Sequence, residues 1–402
     1  MQKTYKVAII GGGASGIISA IELSTKLGGE NVAILERFDR IGKKILVTGA
    51  SQGNLTNKNL SIENYYGEDA TFAKNVLDSF DNVSLEKYLK GCGIYLTEKE
   101  DGKKYPLSYQ ASSVLDLFRI RLENLGTNIL TGFFARGIKK VKDLFYITSE
   151  NGEEIVAEKV ILACGGMASK HLGTDGNGYD LAKSFSHTTT KLYPSLVQLK
   201  TDLNKIRGLK GLKSQVVVRA YDGNKMLKEN RGEILFTEYG VSGSAVFQVS
   251  GHMAKAKEGY LEIEFLPELT SSQIKEILTE RKNAMPYLKN EDLLTGLINK
   301  QIGRAVLKSC TGTSIEQIVK ELKAFKIKII GTLGFNYAQV TKGGISTKEI
   351  DDKTLESKKV KGLYFAGEII DIDGDCGGYN LQWAFSSGIA VARAIIRENN
   401  GN

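Results

Sequence analysis

Apolar residues fall along this chain in two rhythms, and each rhythm predicts a different element. Residues 5–10 close on the unbroken run Val7-Ala8-Ile9-Ile10, the pattern of a strand buried on both faces, which meets Gly11-Gly12-Gly13. Residues 14–27 change to helical spacing, with Ile17, Ile18, Ile21 and Leu27 on one stripe and Gly28-Gly29 as the stop. Asn31 to Glu36 predicts a second strand, which completes a compact βαβ unit. The segment 71–125 is predicted mostly helical, most clearly over Ala111 to Leu125, where Val114, Leu115, Phe118 and Leu122 are in register and Gly126 ends the helix. Strands are predicted over 128–131, 138–148 and 154–163, with Asn151-Gly152 as a hairpin turn signal. Val160-Ile161-Leu162-Ala163 again runs into glycines, Gly165-Gly166.

Beyond Pro194 the pattern changes. Strand-like runs at 196–201, 214–221, 233–237 and 260–265 are separated by Gly, Asn and Asp, and 271–325 turns helical and rich in Lys and Glu. After 330 glycine-punctuated strands return, and a helix over about 380–398 closes the pattern. The expected fold class is α/β: a discontinuous Rossmann-type domain of residues 1–192 and 336–402, interrupted by an insert. The insert is expected to carry a β part, 193–267 with 326–335, and a helical part, 268–325. A chain of 402 residues exceeds the size at which one core keeps growing, which agrees with two or three domains.

Composition narrows the class by exclusion. Hydrophobic residues at 42% and charged residues at 25% are ordinary for a globular protein. No window approaches the ~18 consecutive apolar residues of a membrane helix, and the short apolar stretch near the start is not that of a signal peptide. Cys92, Cys164, Cys310 and Cys376 form no CxxC pair, so neither disulfides nor zinc are expected and a reducing cytoplasm fits. His171, His187 and His252 are too few and too scattered for a metal site, so none is expected and all three read first as structural. The net charge is +8 and the pI near 9.0. The lysines come in scattered pairs such as Lys43-Lys44 and Lys103-Lys104, without the run of five or six like charges that marks an interaction tail. A solvated basic surface is therefore expected, with no nucleic-acid partner and no membrane; oligomeric state is left open.

The chemistry concentrates where strands meet glycines. Gly11-Gly12-Gly13-Ala14-Ser15-Gly16 is a GxGxxG between strand and helix: Gly11 permits the turn, Gly13 lets backbone approach a pyrophosphate, and Gly16 allows close packing. The helix start offers free N–H groups and a partial positive charge to phosphates. Glu36, twenty residues after Gly16 at the end of the next strand, is placed to accept bonds from both ribose hydroxyls. This unit suits FAD and NAD equally. Gly362 to Glu368, a hydrophobic strand ending in Gly-Glu, resembles the late FAD motif, and Val160 to Gly166 resembles the middle one. Gly377-Gly378-Tyr379-Asn380 opens the final helix, whose N–H groups can face the flavin N1–C2=O edge. FAD is thus the expected cofactor. Its expected contacts are Gly11, Gly13, Ala14, Ser15, Gly16, Glu36, Arg37, Ala163, Gly165, Gly166, Gly367, Glu368, Gly378, Tyr379, Asn380 and Leu381. Cys376, Tyr379 and Asn380 are the catalytic candidates, with Cys376 read first as a small residue filling a turn. Tyr239 reads equally as a packed aromatic or a cavity wall, and Trp383 as core.

These motifs, in this order, resemble the YhiN/BaiN-like NAD(P)/FAD-dependent oxidoreductases, the group of aminoacetone oxidase-like flavoproteins. The resemblance also runs through Gly42-Lys43-Lys44, the stretch Gly165 to Pro194, Leu235 to Gly243, Val340 to Gly344, Glu356 to Lys358 and Gly377 to Gln382. It implies an FAD-binding Rossmann domain, a β-barrel-like domain and a small helical domain, and it adds Lys43, Lys44, Asn54, Thr56 and Asn57 to the expected cofactor contacts. One loop departs from the family pattern Ser-Gly-x-Gly-Arg-Cys-Asn-x-Thr-Asn. Residues 48–57 read Thr-Gly-Ala-Ser-Gln-Gly-Asn-Leu-Thr-Asn, so Gln52 and Gly53 stand where Arg and Cys are expected. The function expected is an FAD-dependent oxidoreductase acting on a small organic substrate between the FAD domain and the insert. Only one dinucleotide fingerprint is present, which leaves NAD(P)H as a transient hydride donor. The alternatives are an amine oxidase releasing peroxide from an aminoacetone-like substrate, and an RNA-associated flavoprotein.

Overall fold

The computed structural model describes residues 3–99 and 101–400 and divides into two compact units, Met1–Leu192 with Val340–Asn402, and Tyr193–Gln339. The first unit is a Rossmann-type sheet. Its strands run in the order Asn128–Thr131, Val32–Glu36, Thr4–Ile10, Glu154–Leu162, Leu144–Ser149 and Ala135–Val141, with Leu363–Phe365 also paired to Glu154–Leu162. The first four strands and Leu363–Phe365 are parallel, while Leu144–Ser149 and Ala135–Val141 form an antiparallel hairpin. Val7, Ala8, Ile9, Ile34 and Ile161 lose all exposure, as the continuous apolar runs require of strands covered on both faces.

Helix Ala14–Leu27 buries Ile17, Ile18, Ile21 and Leu23. It lies against the long helix Tyr379–Asn400, where Ser19 Oγ donates to the Gly388 carbonyl at 2.9 Å. Two sequence expectations are revised here. The single strand over 138–148 is a hairpin that turns at Lys142, which adopts φ 55°. Neither glycine nor proline stands between the two arms, so the sequence carries no strong turn signal there. The mostly helical segment 71–125 contains helices Phe72–Ser79, Asn82–Gly91 and Ala111–Asn124, but a small antiparallel sheet of Thr56–Asn57, Lys103–Pro106 and Leu96–Glu98 separates the second from the third.

The second unit is a closed antiparallel barrel of six strands in the order Leu199–Thr201, Gly240–Ser242, Lys225–Phe236, Lys213–Asp222, Gly259–Phe265 and Phe325–Thr332. Alternate residues Val216, Val218 and Ala220, with Leu261, Ile263 and Phe265, fill its interior. Helices Ser271–Ala284, Lys300–Ser309 and Ile315–Lys323 add Ile274, Leu278, Ile302, Val306, Ile318 and Leu322 to the same core. Helix Ser244–Met253, absent from the sequence reading, contributes Ala245, Val246 and Val249. The chain leaves and re-enters the first unit through adjacent segments, since the Thr190 N–H donates to the Gly344 carbonyl at 2.9 Å. Among the described residues no helix is long and apolar enough to cross a membrane.

Candidate functional site

The glycines after the first strand differ in what surrounds them. A Cβ on Gly11, which has φ 110°, would lie 2.5 Å from the Ala163 carbonyl oxygen, and one on Gly16 would lie 2.0 Å from the Gly11 carbonyl oxygen. A Cβ on Gly13, the residue before helix Ala14–Leu27, would meet nothing within 4 Å. The turn is therefore closed against the sheet and helix and open toward the helix start, where half-buried Ala14 follows. The Ser15 hydroxyl turns inward and donates to the Ala366 carbonyl at 3.3 Å.

Glu36 ends the second strand with its carboxylate held by two backbone donors. Oε2 accepts the Gly12 N–H and Oε1 the Phe38 N–H, each at 2.9 Å, so each oxygen keeps a further lone pair able to accept a hydrogen bond. Arg37 pairs with Asp175 at 2.8 Å and lies 3.8 Å over the Phe134 ring. Burial pushes the Asp175 carboxyl up, but hydrogen bonds from Arg37 and the Asn177 N–H hold it below its ordinary range. Lys43 pairs with Asp39 at 2.8 Å over the Phe38 ring. Lys44 reaches Glu368 at 2.6 Å, and the other Glu368 oxygen accepts the Thr341 N–H at 2.7 Å.

The C-terminal motifs close on the same region. Gly367, at φ 79°, has no room for a Cβ because Ser15 Oγ would be 2.7 Å away, and its N–H donates to Ser387 Oγ at 2.9 Å. Trp383 is buried and donates from Nε1 to the Gly367 carbonyl at 3.1 Å. Gly166 is equally tight, with Thr341 Oγ1 2.3 Å from where its Cβ would stand, and Gly165 adopts φ 71°. A Cβ on Gly378 would fall 2.4 Å from the Thr56 carbonyl oxygen. Asn57 Nδ2 donates to the Gly377 carbonyl at 3.0 Å and Thr56 Oγ1 to Gln382 Oε1 at 2.5 Å, which fastens the 48–57 loop to the start of the final helix.

The catalytic candidates occupy different roles in this network. The Asn380 amide accepts the Gly374 N–H at 2.8 Å and donates to the Gly374 and Asp375 carbonyls, so it braces the preceding loop. Tyr379 is buried edge-on against Tyr65, and its hydroxyl donates to the Asn59 carbonyl at 3.3 Å. Burial pushes the Cys376 thiol up, against the opposing charge of Lys103, which disfavours a thiolate. Leu381 is half-buried against the core. Asn54 is buried, and its Oδ1 has no hydrogen-bond partner among the described residues. These features fit FAD: an open turn at a helix start, an oriented carboxylate at the strand end, and an orphaned buried acceptor. Thr341, Ser387 and Asp175 escaped the sequence reading because their partners lie far along the chain.

The sequence profile of the HI0933-like protein Rossmann domain matches residues 5–394. The chain is 39% identical to the 3-dehydro-bile acid delta(4,6)-reductase of Clostridium scindens, over 97% of this chain and 98% of that protein. It is 29% identical to the ribosomal RNA dihydrouridine synthase of Haemophilus influenzae, over 97% of this chain and 98% of that protein. Among solved structures it shares the fold of the 3-ketosteroid-delta4-(5alpha)-dehydrogenase of Rhodococcus jostii in complex with 4-androstene-3,17-dione. That match has a TM-score of 0.52 and 14% identity, covering 98% of this chain and 96% of the other.

Proposed function

The chain belongs to the HI0933-like Rossmann family and is by class an FAD-dependent oxidoreductase, and from that premise we propose that it reduces a carbon–carbon double bond conjugated to a carbonyl. The observation that carries this reading is the 39% identity, over 97% of the chain, to a 3-dehydro-bile acid delta(4,6)-reductase. A delta-4 bond in a 3-dehydro steroid is conjugated to the 3-oxo group. The bond reduced when uridine becomes dihydrouridine is likewise conjugated to a ring carbonyl. A fused steroid and a nucleobase share little else, so hydride addition to an electron-poor alkene is the common chemistry.

When bound, reduced FAD supplies the hydride. The residues of this chain would bind and orient it. Gly13 and the start of helix Ala14–Leu27 would take the pyrophosphate, and Glu36 the ribose. Arg37, Lys43, Lys44 and Glu368 would stand along the cofactor with Ala163, Gly165 and Gly166. Asn54 would receive a flavin N–H, and the helix beginning at Tyr379 would favour negative charge at the N1–C2=O edge. NAD(P)H is proposed as a donor that visits and leaves, because the chain carries a single dinucleotide fingerprint.

A second reading, an RNA substrate, is favoured by the distribution of charge. Residues 193–339 hold 22 Lys and Arg against 15 Asp and Glu, a net +7 of the chain's +8. One anaerobic experiment separates the readings. The bound FAD is reduced with NADPH or NADH, then mixed with 4-androstene-3,17-dione, cyclohex-2-enone, a uridine-containing oligonucleotide, or oxygen. Reoxidation faster with an enone than with oxygen is expected. Acceleration by the oligonucleotide alone would transfer the activity to RNA. Reoxidation by oxygen only, with stoichiometric peroxide, would refute the reductase reading.

A further inference from the structure

The loop that departs from the family pattern is held in an unusual shape. Gly49, Ala50, Ser51 and Gly53 have φ of 56°, 55°, 66° and 78°, a left-handed region that is unfavourable for the two non-glycines. Gly53 N–H donates to the Thr48 carbonyl at 3.0 Å, and Ala111 N–H to the Ser51 carbonyl at 2.9 Å. The loop thereby presents Gln52, where the family pattern has arginine, to Lys99 on the neighbouring hairpin. Gln52 Oε1 accepts from Lys99 Nζ at 2.9 Å. The same Nζ lies 4.3 Å from the centre of the Tyr105 ring and 4.9 Å from that of Tyr109.

Lys99 differs from the lysines around it. Lys44 is paired with Glu368, Lys58 with Glu98, Lys103 with Asp101 and Lys104 with Glu86. Among the described residues no carboxylate pairs with Lys99. Its ammonium carries three N–H donors, of which one meets an amide oxygen, while the ring faces hold the charge without neutralising it. Two residues beyond Gln52, Asn54 Oδ1 is a buried acceptor with no donor. The loop thus combines a buried acceptor lacking a donor with a cation that no carboxylate pairs among the described residues. Tyr105 sits on the strand Lys103–Pro106, which pairs with Thr56–Asn57, and Lys103 Cε is 3.3 Å from where a Gly377 Cβ would stand.

We propose that Lys99, positioned by Gln52 and the rings of Tyr105 and Tyr109, binds an anionic oxygen of the substrate. The identity of that oxygen rests on the reductase reading. With reduced FAD bound, a hydride would add to the β-carbon while the alkene π pair shifts onto the carbonyl oxygen, leaving an enolate. Lys99 donates a hydrogen bond to the enolate oxygen and keeps its proton, and a solvent proton at the α-carbon completes the saturated ketone.

The test uses the FAD-loaded, oxidised protein and the phenolate of 4-hydroxybenzaldehyde as an unreactive stand-in for the enolate, with binding followed by calorimetry. Lys99→Met is expected to weaken phenolate binding about 10- to 100-fold at unchanged FAD content and melting temperature, the range for losing a hydrogen bond to a charged group. Lys99→Arg is expected to stay within about tenfold of the parent, and Gln52→Arg added to Lys99→Met to regain most of the loss. Turnover of cyclohex-2-enone should fall in parallel, through kcat more than KM. A parent protein that binds no phenolate, or a Lys99→Met variant that binds it equally well, overturns the proposal. Equal loss in Lys99→Arg and Lys99→Met would assign Lys99 to packing and overturn it too. Lys99-dependent phenolate binding without turnover of any enone would leave the anion site standing and remove the reductase reading.

Discussion

At the scale of single residues, two carboxylates have consequences that can be measured. Glu36 is fixed by the Gly12 and Phe38 N–H groups, so its remaining lone pairs are aimed before any ligand arrives. Glu36→Ala removes the proposed charged acceptor for the ribose, and FAD affinity should drop about tenfold or more by fluorescence titration of the apoprotein. An unchanged dissociation constant would show that the fingerprint turn does not hold the cofactor. Glu349 belongs to a buried network: its Oε2 meets His187 Nδ1 at 3.1 Å and accepts the Thr188 N–H at 2.8 Å, and its Oε1 accepts from Lys359 at 2.6 Å. The other His187 nitrogen meets Ser357 Oγ at 2.7 Å. Burial pushes the Glu349 carboxyl up, but the bonds from Lys359 and Thr188 outweigh it and bring it from 4.5 down to about 2. A carboxyl depressed by folding contributes stability above its unfolded value, and the contribution is lost as pH falls from 4.5 toward 2. His187 is lowered by burial and by Lys359, against Glu349, so its neutral form also favours the fold above 6.5 and acid weakens both groups in turn. Glu349→Gln should therefore lower the urea midpoint clearly at pH 7, with the gap to the parent narrowing as the pH is taken down through 4 and 3. An equal gap throughout would contradict this linkage.

At the scale of elements, legibility followed the length of the pattern. The βαβ unit was readable because Val7–Ile10 is an unbroken apolar run and Ile17, Ile18 and Ile21 keep a helical period, and both are local properties of the chain. The place of Glu36 at a strand end was readable from its distance to Gly16. The small sheet at 96–106 was not, since strands of two to four residues carry no measurable period. It exists through pairings such as Thr56 with Lys104 and Leu96 with Pro106, which no local window contains. Lys99 and its tyrosines were lost with it. The Lys44–Glu368 pair was hidden differently: both residues belong to recognised motifs, but nothing local says that they meet. The packing of helix Ala14–Leu27 on helix Tyr379–Asn400 depends on Gly388, where a Cβ would stand 2.6 Å from both the Ser15 carbonyl oxygen and Ile18 Cγ2. Gly388→Val should force the helices apart and cost about 1–3 kcal/mol, read as a lower melting temperature, and it should loosen FAD because Ser15 moves with the fingerprint turn. A variant with parental melting temperature and FAD content would mean that the contact yields more easily than its geometry implies.

At the scale of the molecule, the charge and the connectivity are divided unevenly. Unit Tyr193–Gln339 carries nearly all of the net positive charge, while the rest of the chain balances 32 Lys and Arg against 31 Asp and Glu. The first unit is knitted from both ends of the sequence: Ser15 to Ala366, Ser19 to Gly388, Thr56 to Gln382. A ribosome delivers those ends far apart in time, at about 5–20 residues per second. Residues 193–339 can complete their own barrel while the earlier segment waits. During that interval the edge of strand Glu154–Leu162 that will pair Val160, Ile161 and Leu162 with Leu363–Phe365 stays open, and the face of helix Ala14–Leu27 that Tyr379–Asn400 will cover is bare. A nascent chain halted before residue 363 is therefore not a smaller enzyme. It is a client for chaperones, with an unpaired sheet edge and an uncovered apolar helix already exposed to its neighbours.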